Sequence, residues 1–524
     1  MLEEGHGPST TTISIPKACG CDDVRGRVAR AASWPSARSG AGRVKLSVCG
    51  TRAVVSRQRA TVVDLFSGAG GLSLGFQAAG ARVLAAVDAN EDAGRSFRDC
   101  FARLQPGQPP RAFFGEVGDI ETLDLERVAP ADSGPDILVG GPPCQGFSRL
   151  GRAKLASLAD DLDSGDPRNQ LYGRFVDAAR FWTPRAVVME NVPGMLSLQG
   201  TNIADAVASD LAACGYRVGY ALLNAVWYGV PQFRERLFFI GIREDLGLVP
   251  SMPAATHHVE LPTGYLRPMQ AITLSFGFVP HFELEVRTAG AKLPATSVGD
   301  ALADLPPLTD HLVAATPEQR RGDVRPILPY RAGAVPAFAR LMRAWPGLPE
   351  PDGVKDHVIR RTPRDFETFR RMRPDDRYPE AMRLALQRLD EELARRATAG
   401  EVIAVGSPAH DALRARIVPP YPVEKFVDKW RKLNAGRPSW TVPAHLSHDA
   451  YSHIHHDDAQ ARTISVREAA RLPGAIVPAV TQGAKPNRRL WCAKKAALGA
   501  NRFGILMRRP SNSSSVARMN SSSS

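Results

Sequence analysis

Four short stretches of this 524-residue chain hold residue types that can do chemistry. The first is Pro142-Pro143-Cys144-Gln145-Gly146. A free cysteine is usually a small buried hydrophobe. Cys144, however, follows the apolar run Asp136-Ile137-Leu138-Val139 and sits in a rigid Pro-Pro turn near glycines. A thiol there can be exposed and activated as a nucleophile by a helix N-terminus or by cations. The second is Glu190-Asn191-Val192-Pro193, after the apolar run Ala186–Met189. Its carboxylate can cap a helix or can serve as an acid that donates a proton. The third is Gln232-Phe233-Arg234-Glu235-Arg236. Two arginines at i and i+2 of a strand share one face and could grip a carbonyl or phosphates; the plainer reading is a solvated charge cluster. The fourth is the turn Ser67-Gly68-Ala69-Gly70-Gly71, where backbone can approach a ligand at a helix N-terminus. Asp88 is set to accept hydrogen bonds from ribose hydroxyls, and Asp64 and Asp119 are expected nearby. Alone, such a turn is often only a tight turn.

The elements that must hold these stretches alternate. Thr61–Phe66 reads as a strand, Leu72–Ala79 as a helix closed by Gly80, and Val83–Val87 as a buried strand ending at Asp88. Strands follow at Asp136–Val139, Ala186–Met189 and Arg236–Gly241, with helices at Phe175–Phe181 and Ile203–Cys214. The pattern predicts an α/β fold with a parallel, doubly wound sheet and ligands at the carboxyl ends of its strands. From Ser251 to about Asp457 the texture is Pro-rich and irregular, apart from a charged segment, Arg364–Arg396, expected to be helical. Arg462–Leu472 resumes a strand-to-helix pattern. Residues 1–58 show no sustained period and are expected to be disordered or an upstream extension.

Charge is a weaker guide. The net +13 arises at the two ends: residues 1–60 carry 10 basic and 4 acidic residues, and residues 475–524 carry 9 basic and none acidic, leaving the middle at −2. Such ends bind polyanions without specificity, so bulk charge does not show that the middle reads nucleic acid. No apolar run reaches the ~20 residues of a membrane span. No basic-then-apolar leader opens the chain, and its seven cysteines make no disulfide framework. A reduced, cytoplasmic protein without membrane association is expected. His453-Ile454-His455-His456-Asp457-Asp458 has metal-ligating residue types, but no second ligand set is evident. No metal is expected, and a surface loop is the better reading. Cys19-Gly20-Cys21 is too closely spaced for a zinc knuckle.

In their order and spacing, Asp64–Gly71, Pro142-Pro143-Cys144-Gln145, Glu190-Asn191-Val192 and Gln232–Arg236 resemble the C5-cytosine DNA methyltransferases, bacterial type. Arg467-Glu468-Ala469-Ala470-Arg471-Leu472 matches a later motif of that family, and Pro438-Ser439-Trp440-Thr441 also looks familial. The resemblance runs from about Thr61 to Leu472. It implies a doubly wound S-adenosylmethionine-dependent methyltransferase sheet over residues 59–250. A second, smaller target-recognition domain over 251–456 and a return to the catalytic domain at 457–474 are also implied. By the same resemblance Cys144 attacks C6 of a cytosine flipped out of the duplex, and Glu190 protonates N3. Arg234 and Arg236 hold the base at O2 and neighbouring groups. Phe66, Gly68, Gly70, Asp88, Asp119, Ile120 and Pro142 form the S-adenosyl-L-methionine pocket. The implied partners are double-stranded DNA and, genetically, a cognate restriction endonuclease, with the chain acting as a monomer.

After Leu472 the family pattern stops. No Gly-Asn-Ala-Val-Pro-like motif follows in the basic, Ser-rich run 475–524, which suggests a frameshifted reading of the gene's end. A catalytically impaired DNA-binding pseudoenzyme is therefore the alternative reading. A tRNA cytosine methyltransferase fits less well, because the region after Arg243 is large and lacks a Cys-Phe-Thr segment. An NAD-dependent oxidoreductase is disfavoured by Cys144 and Glu190 in their contexts. An amino-methylating enzyme would want Asp/Asn-Pro-Pro-Tyr/Phe where this chain has Gly141-Pro142-Pro143-Cys144.

Overall fold

A computed structural model describes residues 44–48, 51–55, 59–143, 171–196, 202–260, 290, 293–312, 327–355, 357–360, 362–443 and 450–474. Residues 1–57 and 58–524 are two compact units. In the first, strands β1 (Val44–Val48) and β2 (Thr51–Val55) pair antiparallel, in a stretch whose sequence pattern assigns no element.

The second unit is built on strands β3 (Thr61–Leu65), β4 (Arg82–Asp88), β5 (Arg111–Phe114), β6 (Ile137–Gly140), β7 (Ala186–Asn191), β8 (Tyr216–Asn224) and β9 (Glu235–Arg243). They form one sheet in the order β5-β4-β3-β6-β7-β9-β8. Both faces are covered, which is why β3 and β6 read as near-continuous apolar runs. On one face Val63, Leu65, Leu138, Val187 and Met189 pack with Phe175, Trp182, Val207 and Leu211 from the helices Leu171–Trp182 and Ile203–Ala213. On the other, Val62, Val139, Val188 and Phe238 pack with Leu72 and Phe76 of the helix Gly71–Ala78. The strand order reverses between β3 and β6, so a crevice opens at their carboxyl ends.

The expected all-parallel sheet needs a correction. β9 runs antiparallel to both β7 and β8. The link from β8 to β9 holds only the short turn Ala225–Tyr228 and no crossover helix, so the chain can only double back. The consequence is functional. The start of β9, not its end, lies at the rim where the parallel strands end.

Past residue 250 the chain packs in smaller layers. The helix Val466–Arg471 is capped by Ser465, whose hydroxyl accepts from Glu468 N at 3.1 Å. It buries Ala469 with Val298, Leu302, Phe338, Leu433 and Val442. A second core gathers Phe369, Tyr378 and Trp430, and Trp345 reaches Phe97 and Phe101 on the helix Glu91–Leu104. The charged segment 364–396 is not one helix but two, Phe366–Arg371 and Tyr378–Thr398. Pro374 cannot continue a helix, and Asp375 takes φ 73° between them.

The cluster from His453 to Asp458 reaches the surface only at its acidic end, where Asp458 is exposed. His453 and His455 are buried; His453 bonds Ser452 Oγ through Nδ1, and His455 Nε2 lies 3.4 Å from Glu468. The sequence conceals this because the burying partner is a carboxylate from the next helix. Among the described residues, no helix is long and apolar enough to cross a membrane.

Candidate active site

The glycine turn is braced from below. β3 leaves the sheet at Phe66, which takes φ 58°, and Gly68 follows with φ 55°. Asp64 is fully buried and its Oδ2 accepts from Ser73 N at 3.1 Å and Ser73 Oγ at 2.6 Å, pinning the start of the helix Gly71–Ala78. Asp64 therefore supports the turn from the interior. Asp88, at the end of β4, accepts from Gly68 N at 2.8 Å and from Asn90 N at 2.9 Å. Its carboxylate sets the shape of the turn and keeps lone pairs for a ligand. Gly70 is required for a different reason: φ is 87°, and a Cβ there would lie 2.5 Å from the Phe97 ring.

Asp119 is exposed just past the turn Gly115–Gly118, and Ile120 beside it is buried. Arg174 holds this segment, donating from Nε to Ile120 O at 3.0 Å and from Nη2 to Leu123 O at 3.3 Å. Nothing local in the sequence marks Arg174, because its partners lie some fifty positions away.

On the other side of the crevice, β6 runs into Gly141 and Pro142, both buried. Asn191 Nδ2 donates to Pro142 O at 3.3 Å, tying the ends of β6 and β7 together. A Cβ on Gly141 would stand 3.1 Å from Glu190 Oε2, so a side chain there would press on the carboxylate and make it shift by a few tenths of an ångström. Cys144, two residues beyond Pro142, lies outside the described residues, as does Gln145.

Glu190 meets Arg236 because of the antiparallel strand. Glu190 lies opposite Phe238, and Arg236 is two residues along on the same face. Arg236 Nε lies 2.7 Å from Glu190 Oε1, with each side chain 16% exposed. Burial pulls the Arg236 guanidinium down from its ordinary range, and the Glu190 carboxylate opposes that pull. Arg234 is pushed down to about 9, by burial first and by Arg236 beside it second, so it remains a cation at neutral pH.

Not all of the hydrogen-bonding capacity here is used. Arg234 Nε and both amide atoms of Gln232 are buried without a hydrogen-bond partner. Such groups are few in native proteins and cost free energy until something meets them. Gln232 is the residue that reading for charge overlooks, although it opens the same motif. Its backbone neighbours are secured from the second region: Phe233 N donates to Ser439 O at 2.8 Å, Ser439 N to Pro231 O at 2.9 Å, and Thr441 Oγ1 to Phe233 O at 2.6 Å.

One rim thus collects Phe66, Gly68, Asp88, Asp119, Ile120, Pro142, Glu190, Arg234 and Arg236. The model of the C-5 cytosine-specific DNA methylase family matches residues 60–274, which hold all of them. M.OihORF3336P of Oceanobacillus iheyensis, described as a type II methyltransferase, is 36% identical over 424 residues, covering 78% of this chain and 87% of its own. The type II methyltransferase M.AgeI of Thalassovita gelatinovora is 29% identical over 438 residues, 78% of this chain and 90% of its own. In fold, the crystal structure of a DNA modification methyltransferase encoded within an E. coli prophage aligns with TM-score 0.50. It is 20% identical and covers 84% of this chain and 98% of that one. Extended similarity to a relative, together with the family match over the sheet and its rim, identifies the chain as a member of the C-5 cytosine-specific DNA methylases.

Proposed function

We propose that the chain transfers a methyl group from S-adenosylmethionine to C5 of a cytosine in a specific duplex DNA site, the base having left the stack at a cost of about a few kcal/mol. The observation that carries this reading is the Glu190–Arg236 pair, set at the rim beside Gly141 and Pro142 and hence close in sequence to Cys144.

The donor set on the β3–β5 side fits such a cofactor. From Phe66 to Leu74 there is no lysine or arginine to meet phosphates, while Asp88 and Asp119 supply carboxylates and Phe66 and Ile120 supply apolar surface. That suits a phosphate-free nucleoside carrying positive charge better than a dinucleotide. Gly68, Gly70 and Pro142 complete the proposed pocket. The bound cofactor supplies an electrophilic methyl group.

The chain's own residues prepare the base. The Cys144 thiolate adds to C6, and the electron pair displaced toward N3 is met by a proton from Glu190. C5 becomes nucleophilic as a result. Arg236 holds the Glu190 carboxyl in register and, with Arg234, hydrogen-bonds the cytosine O2 side. After C5 is methylated, removal of its proton restores the double bond and expels the thiolate. Residues 251–456 are proposed as the target-recognition region, with a cognate nuclease as genetic partner in keeping with the type II names of the relatives.

The second reading, a chain that binds DNA with impaired catalysis, rests on the departure from the family pattern after Leu472. Bisulfite sequencing of DNA from a methylation-free host expressing the chain decides between them, with Cys144→Ser as control. Protected cytosines in one short context, absent in the control, are expected. No protection from soluble protein would overturn the catalytic reading.

A further inference from the structure

The region after residue 250 carries a pair of arginines whose arrangement the methyl-transfer chemistry does not require. Trp430 takes φ 54° and is buried, stacked on Tyr451 with ring centroids 5.0 Å apart and planes 4° from parallel. The next residue, Arg431, emerges on the outer side, and Lys432 turns back inward to bond Phe369 O at 3.0 Å. The Arg431 guanidinium carbon lies 5.1 Å from the centroid of the Trp440 ring. The Arg377 guanidinium carbon, from just before the helix Tyr378–Thr398, lies 5.7 Å from the same centroid. One indole thus orients two planar forks.

Both forks converge on one acceptor. Arg377 Nη1 lies 3.2 Å and Arg431 Nη2 3.1 Å from the same oxygen, Asp428 Oδ1. Arg431 Nε also donates to Asp428 O at 2.9 Å. The Asp428 side chain is 71% exposed, whereas that of Arg431 is only 23% exposed. Two held cations therefore share one solvent-facing carboxylate and keep an excess of positive charge. Because Asp428 faces solvent, the ion pairs it makes are weak and the carboxylate is easily replaced. A phosphate offers more acceptor oxygens to the same forks.

The position matters as much as the chemistry. The Trp440 ring packs 5.9 Å from that of Phe233, the residue between Gln232 and Arg234. Ser439 and Thr441, on either side of Trp440, bond the Phe233 backbone at 2.8 and 2.6 Å. The two arginines are thus tied to the segment just before β9 that holds Arg234 and leads into Arg236, one aromatic pair away from it.

We propose that Arg377 and Arg431, stacked on Trp440, clamp a backbone phosphate of the DNA near the target cytosine, and that Asp428 is the resident anion that the phosphate displaces. This rests on the reading of the chain as a DNA methyltransferase. Because the contact is to backbone, it sets register and affinity but reads no base.

The test is fluorescence anisotropy of the full chain with a fluorescein-labelled DNA duplex across a sodium chloride series. Arg377→Ala with Arg431→Ala is expected to weaken binding equally for unrelated duplexes and to reduce the slope of log affinity against log salt by about 1. Asp428→Asn is expected to tighten binding at low salt, a gain that a misfolded protein cannot produce. Wild-type slope and affinity in the double variant, or weaker binding by Asp428→Asn, would overturn the clamp while leaving the methyltransferase reading intact. A wild-type chain that binds no duplex would overturn both.

Discussion

Two buried charge systems in this molecule look alike in sequence and differ in what they leave over. At the sheet rim, Glu190 and Arg236 make one ion pair, each 16% exposed, while the neighbouring Arg234 Nε and Gln232 amide are buried without partners. Near residue 465, Arg462 is fully buried and grips Glu468 at both oxygens, at 2.7 Å each, while its Nη2 and Nε reach Gln460 Oε1. Glu468 further accepts from Ser465 N at 2.7 Å, and His357 is held between Ser465 Oγ and Pro306 O. The saturated network is architecture, because each member already has its bonds. The rim keeps capacity for a ligand and bears the cost in the free protein.

The largest effect should come from breaking the saturated network. Glu468→Gln leaves Arg462 charged, buried and half-bonded, and is expected to cost about 3–5 kcal/mol in urea unfolding. A cost near zero would mean that the network is not the architectural element the comparison makes it. Glu190→Gln tests the other side. Methyl transfer should fall by about a hundredfold or more, because proton donation by a positioned acid is lost, while the loss of unfolding stability stays smaller than for Glu468→Gln, because the rim pair is partly open to water. A large loss of stability with little loss of rate would erase the distinction between the two regions.

The histidines give a graded test. Burial holds His357 down to about 4, from an ordinary value near 6.5. The unfolded chain therefore binds a proton between those values that the folded chain refuses. This stability is fully present above about pH 6.5 and falls as pH drops toward 4. By pH 5 the loss is on the order of 2 kcal/mol for this group, and His357→Gln should flatten that part of the pH profile of unfolding. The smallest expected effect is at Gln232. Removing an unsatisfied amide with Gln232→Met should leave stability unchanged or raise it by about 1 kcal/mol. A loss well beyond that would show that the amide is bonded and that the rim, too, is saturated.

Much of the rim was legible beforehand. The apolar runs that became β3, β4, β6 and β7 ended where expected, since a strand buried on both faces leaves a continuous signal. Asp88 and Glu190 were singled out as strand-end carboxylates, and they stand there. Asp64 was expected near the ligand and instead braces the turn, because a one-dimensional pattern cannot tell which side of a turn a side chain faces. No local pattern marks β5 or β8, and the histidines at 453–456 carry no sequence sign of the burial that Glu468 and Arg462 give His455. Such contacts join residues far apart in the chain or depend on packing that no local pattern records.

By itself, the sequence determined the α/β alternation, the glycine turn, the strand-end acids and the family, because apolar periodicity, turn chemistry and motif order are all written along the chain. Tertiary structure alone decided that β9 runs backward. That reversal brings the start of β9, with Arg236, to the carboxyl end of β7 and so to Glu190. It also decided that Trp440 would lie against Phe233, joining the region around Trp440 to the segment that leads into β9. Strand direction and long-range packing follow from how links of a given length and shape close over a shared core, and that closure is a property of the whole fold.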